Sequence, residues 1–220
     1  MRESLCPSAA HCLSVGAGGS MIQHGGSHGN LSFDEFKNRC RRIAVIGCPG
    51  SGKTQFSQKL ARLLSLPYFS LDDQYWLRNW VRTPRSEWQF IHSRLLSEPA
   101  WVIDGNYANE FDVRLAAADC VIFLDLSMIV CLWAILAREC ARFAGRQETL
   151  PLQIRCDSSY RHRRLIDFAL ISKVARFRSQ SRPEILTQLR NAENCVVVLL
   201  TSRRSALRFL LGVEQFILSY

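Results

Sequence analysis

An α/β fold, a parallel sheet covered by helices on both faces, is what this sequence predicts, and three observations carry the prediction. Short apolar runs rich in β-branched residues alternate with segments of helical spacing. The octapeptide Gly47–Thr54, GCPGSGKT, joins one such run to one such segment. The chain has 220 residues, 48% of them hydrophobic and 21% charged, which is enough for one domain with a full core.

The elements follow in order. Residues 1–30 are rich in Gly, Ser and His and have no periodicity, so they are expected to be a disordered extension ahead of a domain over 31–220. They lack a basic segment followed by a long apolar core, so they do not read as a secretory signal. Phe33–Cys40 has the spacing of a short helix, and RIAVIG (Arg42–Gly47) reads as a buried strand. The segment after the octapeptide places Phe56, Leu60, Leu63 and Leu64 on one helical face. PYFSL (67–71) is a second short strand. Pro84 opens a helix through SEWQFIHSRLLS. WVIDG (Trp101–Gly105) and CVIFLDL (Cys120–Leu126) are strands three and four. A helix is expected over Met128–Ala144, a loop over Gly145–Ser159, and further helices over Tyr160–Arg178 and Pro183–Ala192. CVVVLLT (Cys195–Thr201) is the fifth strand, and SALRFLLG (205–212) closes the chain as a helix.

Composition narrows the function classes. The longest uncharged apolar stretch, Leu126–Ala137, is too short to span a bilayer, so no membrane partner is expected. The nine cysteines include no C-x-x-C pair, and Cys120, Cys131 and Cys195 sit in apolar runs. They read as small buried hydrophobes in a reducing, cytoplasmic setting. The formal charge of +9 is mostly arginine and implies an anionic ligand, whether nucleotide, nucleic acid or phospholipid. Charge does not choose among them. The chain shows no helix-turn-helix, zinc-finger or RNA-binding-sheet pattern.

GCPGSGKT matches G-x-x-x-x-G-K-[ST] in the strand-to-helix context that a phosphate-binding loop requires. In the loop Gly47, Cys48, Pro49, Gly50, Ser51 and Gly52, the glycines let the backbone curl so that successive N–H groups turn toward a phosphate. The helix that begins at Lys53, Thr54 and Gln55 aims its positive end at the same anion. Lys53 is expected on the β- and γ-phosphates of ATP (or GTP), and the Thr54 hydroxyl on Mg²⁺. A second oxygen ligand for Mg²⁺ comes from a strand end, either Asp104 or Asp125. Asp104 is favoured because Gly105 follows it and leaves room for a phosphate near the backbone. Asp125 reads as a strand-end cap that hydrogen-bonds loop amides.

The ordered set GCPGSGKT, LDDQYW, TPRSEW, VIDGNY, DVRLAAADCVIFLDL and SRPEI resembles the adenylate-kinase-like P-loop proteins named for DNA topology modulation (FlaR-like), over about Arg42–Leu210. The resemblance implies a three-layer α/β/α P-loop NTPase fold of the nucleoside-kinase type. Its five-stranded parallel sheet would run in the order 2-3-1-4-5, with a lid over about 145–160 and an acceptor-binding arm. It also supports Asp104 over Asp125 beside the nucleotide. Asn106 and Tyr107 stand where adenylate kinases carry Phe-Pro-Arg, which removes the arginine expected to grip an acceptor phosphate.

On the acceptor side, Asp72 follows the second strand, where ligands bind in open α/β sheets, and is expected to orient an acceptor hydroxyl or take its proton. Trp76 and Trp80 share one face if the segment is helical, and either would stack on a base or sugar. Arg85, Arg114 and Arg182 are candidates for an acceptor anion, with Asp104, Gly105 and Tyr107 lining the same side. Arg138, Arg142 and Arg146 recur every fourth residue, and Arg138 and Arg142 are expected to neutralise the transferring phosphoryl group beside Lys53. The expected activity is Mg²⁺-dependent phosphoryl transfer from ATP to a nucleotide or small hydroxylated acceptor, by a monomer or homodimer. The alternatives are a nucleotide-binding regulator of DNA topology, for which nucleic acid is the less favoured partner, and a simple NTPase.

Overall fold

The computed structural model describes residues 11–15, 21–24, 33–107, 110–143, 168–192 and 195–219. Five parallel strands form the centre: β3 (Arg42–Gly47), β4 (Tyr68–Ser70), β7 (Trp101–Asp104), β8 (Cys120–Leu124) and β9 (Val196–Leu200). They lie side by side as β4-β7-β3-β8-β9, which is the expected order 2-3-1-4-5. Ile43, Ala44, Val45 and Ile46, and all of Cys120–Leu124, are buried residue after residue. Successive strand side chains point to opposite faces, so unbroken burial means that helices cover both.

Two short strands, β1 (His11–Val15) and β2 (Met21–His24), lie in the segment read as a disordered extension. β1 runs parallel to β9 and β2 antiparallel to β1, so the open amides of the β9 edge are paired.

On one side, α2 (Lys53–Leu64) packs with α1 (Phe33–Arg39) and α9 (Arg203–Leu218) around the Phe209 ring. Phe33, Phe36 and Phe56 stand 6.2, 5.4 and 6.1 Å from it. The last helix extends beyond the expected 205–212 in both directions. A Ser202–Ser205 capping box starts it early. Phe33 fills the side-chain space of Gly212 and stacks on Phe216, which rewards continuation past the glycine.

Three other expectations are revised. The strand in PYFSL ends at Ser70, and α3 (Leu71–Tyr75) begins at once, with Leu71 buried beneath Gly105. The Trp76 and Trp80 segment is not an α-helix, and only a 3-10 turn at Arg78–Trp80 lies within it. It is a small hairpin, β5 (Trp76–Leu77) and β6 (Val81–Arg82), whose turn holds Asn79 and Trp80 at positive φ of 58°. The two helices expected to meet near residue 180 are joined without a break. α7 (Phe168–Arg176) passes through a π turn, Phe177–Ser181, into α8 (Arg182–Arg190). The remaining helices are α4 (Arg85–Ser97), α5 (Phe111–Ala117) and α6 (Met128–Phe143). Among the described residues no helix is long and apolar enough to cross a membrane.

Candidate active site

The parallel strands all point their carboxyl ends to one edge, and β3, β4 and β7 end there side by side at Gly47, Ser70 and Asp104. The loop Cys48–Gly52 leaves β3 and turns into α2, with Ser51 N–H donating to Cys48 C=O at 3.0 Å. Gly52 caps the helix in a left-handed conformation (φ 87°, ψ 18°), and a methyl group built on it meets nothing within 4 Å. Gly50 differs: its side-chain position is taken up by the Cys131 carbonyl of α6. The loop is therefore packed on its outer side and open at the helix mouth, where α2 presents its amides. The Ser51 hydroxyl is buried in this loop and has no hydrogen-bond partner among the described residues.

Lys53 folds back over the loop, its ammonium donating to Gly47 C=O at 2.9 Å and Cys48 C=O at 3.1 Å. Burial pushes its pKa below the usual lysine value, and Asp104 and Asp72 oppose that shift. The Thr54 hydroxyl donates to Asp104 Oδ2 at 2.7 Å, and the Tyr68 hydroxyl to Oδ1 at 3.1 Å. Asp104 is nearly enclosed, and burial raises its carboxyl above the ordinary range while Thr54 and Lys53 pull it back. Lys53, Thr54 and Asp104 are thus brought together by the fold, although Asp104 lies 50 positions from Thr54.

Asp72 stands exposed in the first turn of α3, beyond the end of β4, and accepts the Tyr107 hydroxyl at 2.6 Å. Tyr107 packs against Tyr75 and Trp88, with ring centres 4.7 and 5.1 Å apart. Trp76 and Trp80 meet edge to face at 5.3 Å across their hairpin, next to Tyr75. An aromatic wall therefore flanks Asp72, supplied by a hairpin and not by one helix face. Gly105 does not open space for a phosphate: its side-chain position is filled by Leu71 Cβ at 2.8 Å.

The arginines separate. Arg114 is fully buried and donates to Asn106 C=O, and its Nε and Nη1 have no partner among the described residues. Burial pushes its pKa down to about 10. Arg182 forks onto Asp125, with Nε–Oδ1 at 2.8 Å and Nη2–Oδ2 at 2.7 Å. Asp125 thus pairs with a guanidinium instead of capping loop amides. Arg85 is exposed at the start of α4, and Gln55 is exposed in the first turn of α2. Arg138 is half-buried on α6, 3.7 Å from the Glu139 carboxylate. The side chain of Arg142, and Arg146 with the expected lid at 145–160, lie outside the described residues.

Two residues of the site were not singled out from the sequence. Tyr68 holds the second oxygen of Asp104. Asn106 clasps Gly47, accepting its N–H at 3.1 Å and donating to its C=O at 2.7 Å. The only sequence signal for Asn106 was its departure from Phe-Pro-Arg after Asp-Gly.

No protein-family model and no curated protein matches this chain. Among solved structures, shikimate kinase from Acinetobacter baumannii in complex with shikimate is similar at a TM-score of 0.51 and 16% identity, over 85% of this chain and 97% of that one. The fold is that of the P-loop small-molecule kinases. At this identity the likeness speaks for the fold alone. A shikimate kinase from Bacteroides thetaiotaomicron matches at TM-score 0.44 and 14% identity, over 80% and 98% of the two chains. A gluconokinase from Sinorhizobium meliloti matches at 0.41 and 15%, over 82% and 95%.

Proposed function

We propose that this protein is an ATP-dependent phosphotransferase that phosphorylates a hydroxyl group of a small acceptor, with Mg²⁺ as its cation. One observation carries the reading. A phosphate loop with its lysine, a Thr–Asp oxygen pair and a further carboxylate, Asp72, converge on one edge of the sheet, and both carboxylates act on Lys53. The open mouth at Gly52 and the Ser51 hydroxyl, which has no partner among the described residues, fit the phosphates of a nucleotide.

Thr54 and Asp104 offer adjacent oxygens, the donor type a hard dication takes. Among the described residues no three His, Cys, Asp or Glu cluster as a metal cage, so further ligands would come from phosphate and water. A cation held by Thr54 and Asp104 would supply Lewis-acid withdrawal of charge from the phosphates. Lys53 exchanges its two loop carbonyls for phosphate oxygens and places its charge where the transition state gathers negative charge. Asp72 accepts the acceptor hydroxyl in place of Tyr107 and takes its proton as the acceptor oxygen bonds to the γ-phosphorus. The bond to the β–γ bridging oxygen breaks and ADP leaves. The aromatic wall of Tyr75, Trp76 and Trp80 would cover the acceptor's apolar face.

The ordered motifs shared with the adenylate-kinase-like topology modulation proteins support the same reading, and the lack of Phe-Pro-Arg after Gly105 favours a hydroxylated small molecule over a nucleotide. Labelled ATP offered with shikimate, gluconate, other sugars, nucleosides and nucleotides should yield one labelled product, and Lys53→Ala should abolish it while leaving the fold intact. Absence of Mg·ATP binding in a calorimetric titration of the parent would sink the proposal. The charge of +9 favours one rival, a nucleotide-binding regulator on DNA. That rival requires DNA affinity that falls steeply with salt as counterions are released.

A further inference from the structure

Asn106 occupies a junction that phosphoryl transfer by itself does not call for. Its side-chain amide spans 59 positions to satisfy both main-chain groups of Gly47, the last residue of β3 before the loop. The Gly47 carbonyl has two lone pairs, and the Lys53 ammonium uses the other. The amide therefore helps to decide where the lysine is tethered and how the first peptide of the loop is oriented.

The other end of the junction is equally specific. The Asn106 main-chain carbonyl accepts from Arg114, a guanidinium with no exposure and two nitrogens that have no partner among the described residues. Enclosing a cation this way is unfavourable, and among the described residues that carbonyl is its one hydrogen-bond acceptor, beside the Phe111 ring at 5.5 Å. One peptide further on, Tyr107 has φ of 29°, a conformation rarely adopted by a bulky residue. Its hydroxyl is held on Asp72. Asp72, Tyr107, Asn106, Gly47 and Lys53 thus form one unbroken chain of bonds from the acceptor side to the phosphate loop.

We propose that Asn106 is a positioning residue for the phosphate loop and that it links the two substrate sites. Exchange of the Tyr107 hydroxyl for another group on Asp72 then changes nucleotide affinity through Asn106. The inference rests on the kinase reading for the identity of the two ligands. It assigns to Asn106 and Tyr107 a linkage that the reading does not require. An acceptor hydroxyl that displaces Tyr107 from Asp72 relaxes residue 107, and the strain is shared with the adjoining clasp. By reciprocity, the nucleotide then alters acceptor affinity by the same factor.

The test uses the full chain, with a non-hydrolysable ATP analogue and Mg²⁺ titrated into the parent, Asn106→Ala, Tyr107→Phe and the double variant. Each is also melted. Loss of the two clasp bonds should weaken the analogue by roughly tenfold to thirtyfold in Asn106→Ala. Tyr107→Phe keeps the ring packed on Tyr75 and Trp88 but frees Asp72, and should shift affinity by about threefold or more. In the Asn106→Ala background the same change should do nothing, a non-additivity that a purely structural role would not produce. Additive effects overturn the linkage, and a Tyr107→Phe affinity equal to that of the parent overturns it even if Asn106→Ala does not fold. A parent that binds no nucleotide overturns the kinase reading and the linkage with it. A parent that binds, with variants that bind equally well, overturns the linkage alone.

Discussion

Replacing Gly52 by alanine separates the stability of the phosphate loop from its binding. Gly52 has φ of 87° and ψ of 18°, and an added methyl finds no atom within 4 Å. The cost to the fold is then the left-handed backbone alone, about 1 kcal/mol. For a domain of this size that lowers the melting temperature by roughly 2–4 °C. The same methyl stands in the mouth where α2 points its amides. Displacing a phosphate there forfeits at least two hydrogen bonds to a charged group, about 3 kcal/mol or more, so nucleotide affinity should fall over a hundredfold. Gly50→Ala should show the reverse balance, because its methyl collides with the Cys131 carbonyl and the loop must part from α6. Melting followed by circular dichroism, and calorimetric titration with an Mg·ATP analogue, read the two quantities independently. A Gly52→Ala protein that binds like the parent would show that the open mouth is not the phosphate cradle. One that melts below Gly50→Ala would refute the steric argument.

His92 should make the fold acid-sensitive. Burial, then the neighbouring Arg114, lower its pKa from 6.5 to about 4, so the unfolded chain binds the proton more readily. Its contribution is fully present above pH 6.5 and is lost as pH falls toward 4, by at most about 3 kcal/mol. Urea unfolding at stepped pH should show this slope, and His92→Gln should flatten it. A parent with constant stability across that window contradicts the assignment. Arg182→Met strands the nearly buried Asp125 carboxylate and should cost about 1–3 kcal/mol, the low side of a broken buried pair because Arg182 is partly exposed. Adding Asp125→Asn should recover most of that loss in a denaturation experiment. No recovery would mean that the arginine acts elsewhere.

The strands and the glycine loop after the first of them were legible because each is written locally, whereas the strand order came only with the family resemblance. An apolar run bounded by turns becomes a buried strand, and glycines between a strand and a helix become an anion cradle. The helix ends were less legible. α9 passes through Gly212 because the distant Phe33 ring fills the space above that glycine. The hairpin at Trp76–Arg82 escaped because two residues at positive φ, neither of them glycine, form its turn.

Candidates for the proposed chemistry could also be named from the chain: Lys53 and Thr54 from the loop-to-helix motif, and Asp72 and Asp104 from their places at or just beyond strand ends, which the fold class sends to one edge. Their partners could not. The pairing of Asp125 with Arg182, of Asp104 with Tyr68 and of Asn106 with Gly47 spans 57, 36 and 59 positions. Sequence determined which groups would reach the site. Tertiary packing decided which of them are already bound to each other, because a hydrogen bond depends on distance in space and the distance between two remote residues is set by everything folded between them.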